Sequence, residues 1–192
     1  MVNDLSGGVR AETSGGGFKF GRLHGALNAK TSGGSIHVAA CEGNLDVRTS
    51  GGGIDVLGGG GSLEGGTSGG NVTVKDFHGP AHVHSSGGGI NVEDVIGSIE
   101  GATSGGSISA RFSTPPADGI RLETSGGGVT LTVPESSAFD LDASTSGGSV
   151  HSDIPVSVEG KAKTSHLRGP VNGGGKAVLL RTTGGSIRVK KT

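Results

Sequence analysis

The tetrapeptide Thr-Ser-Gly-Gly, or a close variant, begins at Thr13, Thr31, Thr49, Thr67, Ser85, Thr103, Thr124, Thr145, Thr164 and Thr182. The first six starts are 18 residues apart, and the next intervals are 21, 21, 19 and 18. Such a period marks a stacked array, in which each unit is too small to bury a core alone and leans on its neighbours.

Within each unit, counted from its Thr, apolar residues fall at places 6, 8, 15 and 17. The second coil supplies Ile36, Val38, Leu45 and Val47, and the fourth supplies Val72, Val74, Ala81 and Val83. Polar residues such as His37, Thr73, Asp46 and His82 stand between them. This period-2 alternation predicts two short strands per coil, each with one buried face. Place 11 is often apolar as well (Leu23, Cys41, Phe77, Val95) and predicts a third inward point at a bend. A glycine follows at place 13, where a tight corner calls for positive φ, and the Gly-Gly of the tetrapeptide is expected to serve the opposite corner in the same way. The Thr at place 1 continues the inward alternation, so all ten are expected to form one ladder.

Equal coil lengths favour a parallel β-solenoid over a meander of hairpins. The expected fold is all-β, a single-stranded parallel β-solenoid (β-helix) of about ten coils of ~18 residues with no α-helix, roughly 40–50 Å long. It forms a single domain over residues 1–192. Regular coils span 1–111 and coils with longer loops span 112–170, the loops being 112–118 and 134–139. A closing basic coil spans 171–192. The 42 glycines lack the triplet period of collagen, and the strict placement of apolar residues speaks against disorder.

Net charge is −1 but unevenly spread: residues 1–41 carry +2, residues 42–160 carry −11 and residues 161–192 carry +8. Along a solenoid this predicts an acidic body and a basic end. The basic cluster is Lys161, Lys163, His166, Arg168, Lys176, Arg181, Arg188, Lys190 and Lys191. No nucleic acid is expected as partner, because the chain lacks an aromatic platform for bases. No run is apolar enough for a transmembrane segment. Cys41, the lone cysteine, reads as a buried filler.

The repeated Thr-Ser-Gly-Gly-x-apolar-x-apolar, together with Leu167-Arg168-Gly169-Pro170-Val171-Asn172-Gly173-Gly174-Gly175 and Leu180-Arg181-Thr182-Thr183-Gly184-Gly185-Ser186-Ile187, resembles a bacterial family of β-strand-repeat domains of unknown function, often labelled adhesins. The resemblance implies a cell-envelope or extracellular location and no catalytic residues. The start Met1-Val2-Asn3-Asp4 does not read as a signal peptide, which suggests a segment of a longer exported protein.

Several chemistries can be weighed on their residues. His82 and His84 share an outward face and can hold zinc or copper if His78 or Asp76 reaches round the corner, but a solvated polar face is the favoured explanation. Gly51-Gly52-Gly53-Ile54-Asp55 comes nearest to a calcium roll but puts its Asp in a strand. Gly173-Gly174-Gly175-Lys176 lacks the Ser or Thr of a phosphate loop. Asp140 and Asp142, with Glu123 expected on an adjacent coil, are the nearest approach to a glycosidase pair, without a supporting His or Arg. No catalytic, cofactor-binding or metal residue and no cofactor is therefore assigned. The expected function is a non-catalytic structural or adhesion-type module whose partner is an envelope component, polysaccharide or protein. Self-association through the solenoid ends into filaments, or a carbohydrate-active enzyme, are the alternatives.

Overall fold

The computed structural model describes residues 5–157 and 164–192. Lys161 and Lys163 lie outside the described residues. Every regular element is a strand, and nearly all pair in parallel. Two sheets face one another across a thin core. The front sheet holds the strands that lead into the Thr-Ser-Gly-Gly corners, beginning with Val9–Thr13, Leu27–Thr31 and Leu45–Thr49. The back sheet holds the strands that leave them, beginning with Phe18–His24, Ile36–Glu42 and Ile54–Val56.

Register is strict. Leu27 stands beside Leu45, then Leu63, Ala81, Ile99 and Ile120. Ile36, Ile54, Val72, Ile90, Ile108 and Val129 form the matching row on the back sheet. These side chains are buried, as the alternation predicts. A one-residue slip would turn each row into solvent, so the pattern itself fixes the register. The bend residues Leu23, Cys41, Phe77 and Val95 also point inward and are buried.

Each corner threonine works on two coils at once. Thr67 Oγ1 donates to the Gly52 carbonyl at 2.7 Å and accepts the Gly70 N–H at 3.2 Å. Thr31, Thr49, Ser85, Thr103 and Thr124 repeat the donation at 2.7–2.9 Å. The buried corner has few other partners to offer, and an unpaired buried amide or carbonyl is costly. Thr67→Val should therefore lower unfolding free energy by about 1–3 kcal/mol in chemical denaturation. Thr67→Ser should cost under about 1 kcal/mol, because Ser85 already makes both bonds, at 2.9 and 3.0 Å.

The place-13 glycines do adopt positive φ: +142° at Gly25, +153° at Gly43, +116° at Gly61, +136° at Gly79 and +145° at Gly97. The glycines of the tetrapeptide differ from the expectation. None has positive φ. The second of each pair is required by stacking, since a Cβ on Gly70 would overlap the Gly52 carbonyl of the coil before it.

The largest departure from the sequence reading lies at the C-terminal end. Seven coils wind in sequence order, fewer than the ten expected. Beyond Ile120–Thr124 the next strand of the front sheet is Lys176–Thr182, and only then Phe139–Thr145. Beyond Val129–Val133 the next strand of the back sheet is Ile187–Lys191, and then Val150–Ser152. The last arch of the chain is thus inserted between two arches that precede it in sequence. The threonine ladder follows this spatial order. Thr182 Oγ1 donates to Gly127 O and Thr145 Oγ1 to Gly185 O, both at 2.7 Å.

Thr164 is not in the ladder. It is exposed, and its carbonyl accepts the Val150 N–H at 2.7 Å. Residues 171–192 therefore form no closing coil. Part of the +8 charge lies within the stack, and the picture of a purely basic end does not hold. The final strand of the front sheet is His166–Val171, which runs antiparallel to Phe139–Thr145.

Candidate binding surface

Outward positions of the front sheet build two rows along the solenoid. One runs Asp46, Glu64, His82, Glu100 and Arg121, and the other Arg48, Gly66, His84, Ala102, Glu123, Arg181 and Ser144. Beside the second row stand the place-2 residues Ser104, Ser125, Thr183 and Ser146. Over the inserted arch these elements enclose an open trough of about 540 Å³, lined among others by His84, Glu123, Ser125, Ser144, Arg181 and Thr183. A second trough of about 440 Å³ shares His84 and Ala102 and runs back over Gly66 to Arg48. Gly66, which has no side chain, and the small Ala102 form the low floor between taller neighbours. Over the inserted arch the walls offer hydroxyls, one guanidinium, one carboxylate and one imidazole. Such a set can make many hydrogen bonds to a hydroxylated or charged chain lying along the solenoid.

The candidates from sequence are dispersed by the fold. His82 and His84 share the outer face of Ala81–Ser85, but His82 Nδ1 lies 3.2 Å from Glu100 Oε2. His78 belongs to a short back-sheet strand beyond the bend, between Gly60 and Ile96. Among the described residues, no three His, Cys, Asp or Glu side chains converge as metal ligands do. Asp55 of the calcium-roll comparison sits in Ile54–Val56, 3.9 Å from His37.

Glu123 and Asp142 are not on adjacent coils, because Lys176–Thr182 lies between them. Glu123 pairs with Arg121 at 3.0 Å. Asp142 is held by His166 at 3.3 Å and Arg168 at 3.9 Å, and Asp140 accepts the Gly175 N–H at 3.4 Å. These acids fasten the antiparallel strand and the turn that follows it.

The two long loops take part in the same fastening. Asp118 of the first meets Lys176 at 3.7 Å. Glu135 of the second meets Lys191 at 3.0 Å, and its carbonyl and that of Ser137 accept both bonds of the Asn172 amide. Each loop thus grips the returning segment.

Two groups have shifted acidity. Burial, then the Glu42 charge, raises the Cys41 thiol, which lies 3.3 Å from the Gly25 carbonyl and stays protonated. Hydrogen bonds from Lys75 and Asn91 lower Glu93. A lowered carboxyl adds stability above its unfolded pKa and loses it as pH falls through the folded one, but this pair is over a third exposed and screened.

The trough could not be foreseen from residue order, since Glu123, Arg181 and Ser144 become neighbours only through the inserted arch. The one signal was the shift of the repeat interval from 18 to 21.

Comparisons with curated proteins and with solved structures found no match. A family model does match nearly the whole chain, over residues 8–190, and the repeat, the two-sheet solenoid and the corner ladder all lie within that span. The chain belongs to the Toastrack DUF4097 family.

Proposed function

We propose that the chain is a non-catalytic scaffold of the cell envelope or extracellular space, which holds a surface component along the front-sheet trough. A polysaccharide is the ligand class that suits it best. The observation that carries this reading is the trough over the inserted arch, with its row of hydroxyls beside Arg181, His84 and Glu123. Arg181 makes no ion pair among the described residues, so its guanidinium remains available to a ligand oxygen. The adhesion-type role draws its support from this surface and from the rigidity of the corner ladder.

With no Trp or Tyr in the chain, binding rests on hydrogen bonds and on contacts repeated along the rod rather than on ring stacking. Calorimetry against a panel of neutral and acidic polysaccharides tests this. Arg181→Ala should weaken binding by roughly tenfold, the cost of one charge-assisted hydrogen bond. Arg22→Ala, on the opposite sheet, should leave it unchanged. Absence of binding across the panel, or equal affinity for Arg181→Ala and the parent, would count against the proposal. Turnover of any polysaccharide would favour the enzymatic alternative.

A further inference from the structure

The two ends of the solenoid are built differently. At the C-terminal end the outer edge of His166–Val171 is covered over its last two residues. Val156 bridges Val171 in antiparallel fashion, and Ser157 donates to the Pro170 carbonyl at 3.0 Å. Pro170 has no N–H to offer. Ile154, just before, is buried. At the N-terminal end, nothing among the described residues pairs with the outer edge of Val9–Thr13. Val9, Ala11 and Phe18 pack against the core there while remaining partly exposed, and Leu5 is 38% exposed. Among the described residues, the first coil thus presents an apolar face and an unpaired strand edge.

We propose that this edge pairs antiparallel with the same edge of a second copy, giving a closed head-to-head dimer about a two-fold axis through Ala11. The register is carried by two observations. Val9 donates its N–H to Ala26 in the next coil, so along a parallel strand the backbone groups of Arg10 and Glu12 face the free edge. With the axis at Ala11, Arg10 of one copy stands opposite Glu12 of the other, and the two exchange both backbone hydrogen bonds. Their side chains project outward, 75% and 51% exposed, and pair with each other within one copy at 2.7 Å. In the dimer they form two identical cross-axis pairs.

Charges on an edge strand normally discourage pairing, because they meet like charges or bare backbone. Here the order Arg10-Ala11-Glu12 is complementary to its own reverse. The inward residues match as well: Val9 opposite Thr13, and Ala11 opposite Ala11. A two-fold contact uses the same edge of both copies, so it is isologous and closes at two copies rather than propagating into a filament.

A charge-swap series read by sedimentation equilibrium tests this, with circular-dichroism melts to show that each variant is folded. The parent chain should show a species of twice 18.6 kDa in reversible equilibrium with monomer. Arg10→Glu alone faces Glu against Glu, and Glu12→Arg alone faces Arg against Arg. Each should raise the dissociation constant roughly tenfold or more. The double variant restores opposite charges across the axis and should regain dimerisation to within a few-fold of the parent. A parent that is monomeric throughout the concentration range overturns the proposal. So do single variants that dimerise like the parent, or a folded double variant that does not recover.

Discussion

Gly70→Ala should destabilise the chain by about 3 kcal/mol or more, a fall in melting temperature of about 10 °C for a chain of this size. Gly65→Ala, only five residues earlier, should be neutral or stabilising by up to about 1 kcal/mol. The contrast follows from what each new methyl meets. On Gly70 it would overlap the Gly52 carbonyl and approach the Gly53 nitrogen to 2.5 Å, and both are backbone of the neighbouring coil. Neither coil can yield without opening the ladder around Thr67, and the strain passes to every coil stacked on them. On Gly65 the methyl points into the core and meets Val83 Cγ1 at 3.4 Å, Val47 Cγ2 at 3.8 Å and Leu63 Cδ1 at 4.0 Å. These are ordinary contacts, and the change also restricts the unfolded chain. Thermal melts of the two variants side by side provide the check. Equal effects would mean that glycine is used here for flexibility and not for close stacking.

Ending the chain after Val171 should remove far more than a terminal coil. The missing segment supplies Val178, Leu180, Ile187 and Val189, each no more than 1% exposed, in the middle of the C-terminal stack. Burial of four such side chains contributes roughly 6–12 kcal/mol, comparable with the whole stability of a typical domain. The strands Phe139–Thr145 and Val150–Ser152 would lose their parallel neighbours, Asp118 and Glu135 would lose Lys176 and Lys191, and the loop carbonyls of Glu135 and Ser137 would lose the Asn172 amide. The expected result is loss of cooperative folding in the C-terminal third, seen as rapid amide exchange after Val133, while the coils before Thr103 keep their protection. If the segment were a cap at the end of a sequential stack, Phe139–Ser152 would stay protected.

The coil itself was legible from the sequence because two local rules agreed. Ile36-His37-Val38 and Leu45-Asp46-Val47 alternate with the period of a strand, and the repeat spaced them so that identical residues stack. The Thr ladder followed from parity alone. What could not be read was the order of coils near the end. Thr124, Thr145 and Thr182 carry nearly the same corner, and a parallel stack accepts any of them beside any other. The choice is made by particular long-range contacts: the Asn172 amide on the loop carbonyls of Glu135 and Ser137, and the Lys176–Asp118 and Lys191–Glu135 pairs. None of these has a repeat signature. The same physics hid the trough, whose Arg181 sits beside Glu123 although 58 residues separate them, and led the sequence reading to place Asp142 one coil too close to Glu123.

Paired cysteines oxidised under mild conditions test the inserted arch. Cys41 is buried and can stay in place. Thr130 and Arg188 are register partners on adjacent strands, about 4.8 Å apart at the backbone and within disulfide reach. Thr130 and His151 lie two strands apart, about 9.6 Å, with Arg188 between them. The account predicts that Thr130→Cys with Arg188→Cys forms an intramolecular disulfide in the folded chain, and that Thr130→Cys with His151→Cys does not. Efficient bridging of the second pair and none of the first would mean that the coils stack in sequence order, and would contradict the inserted arch.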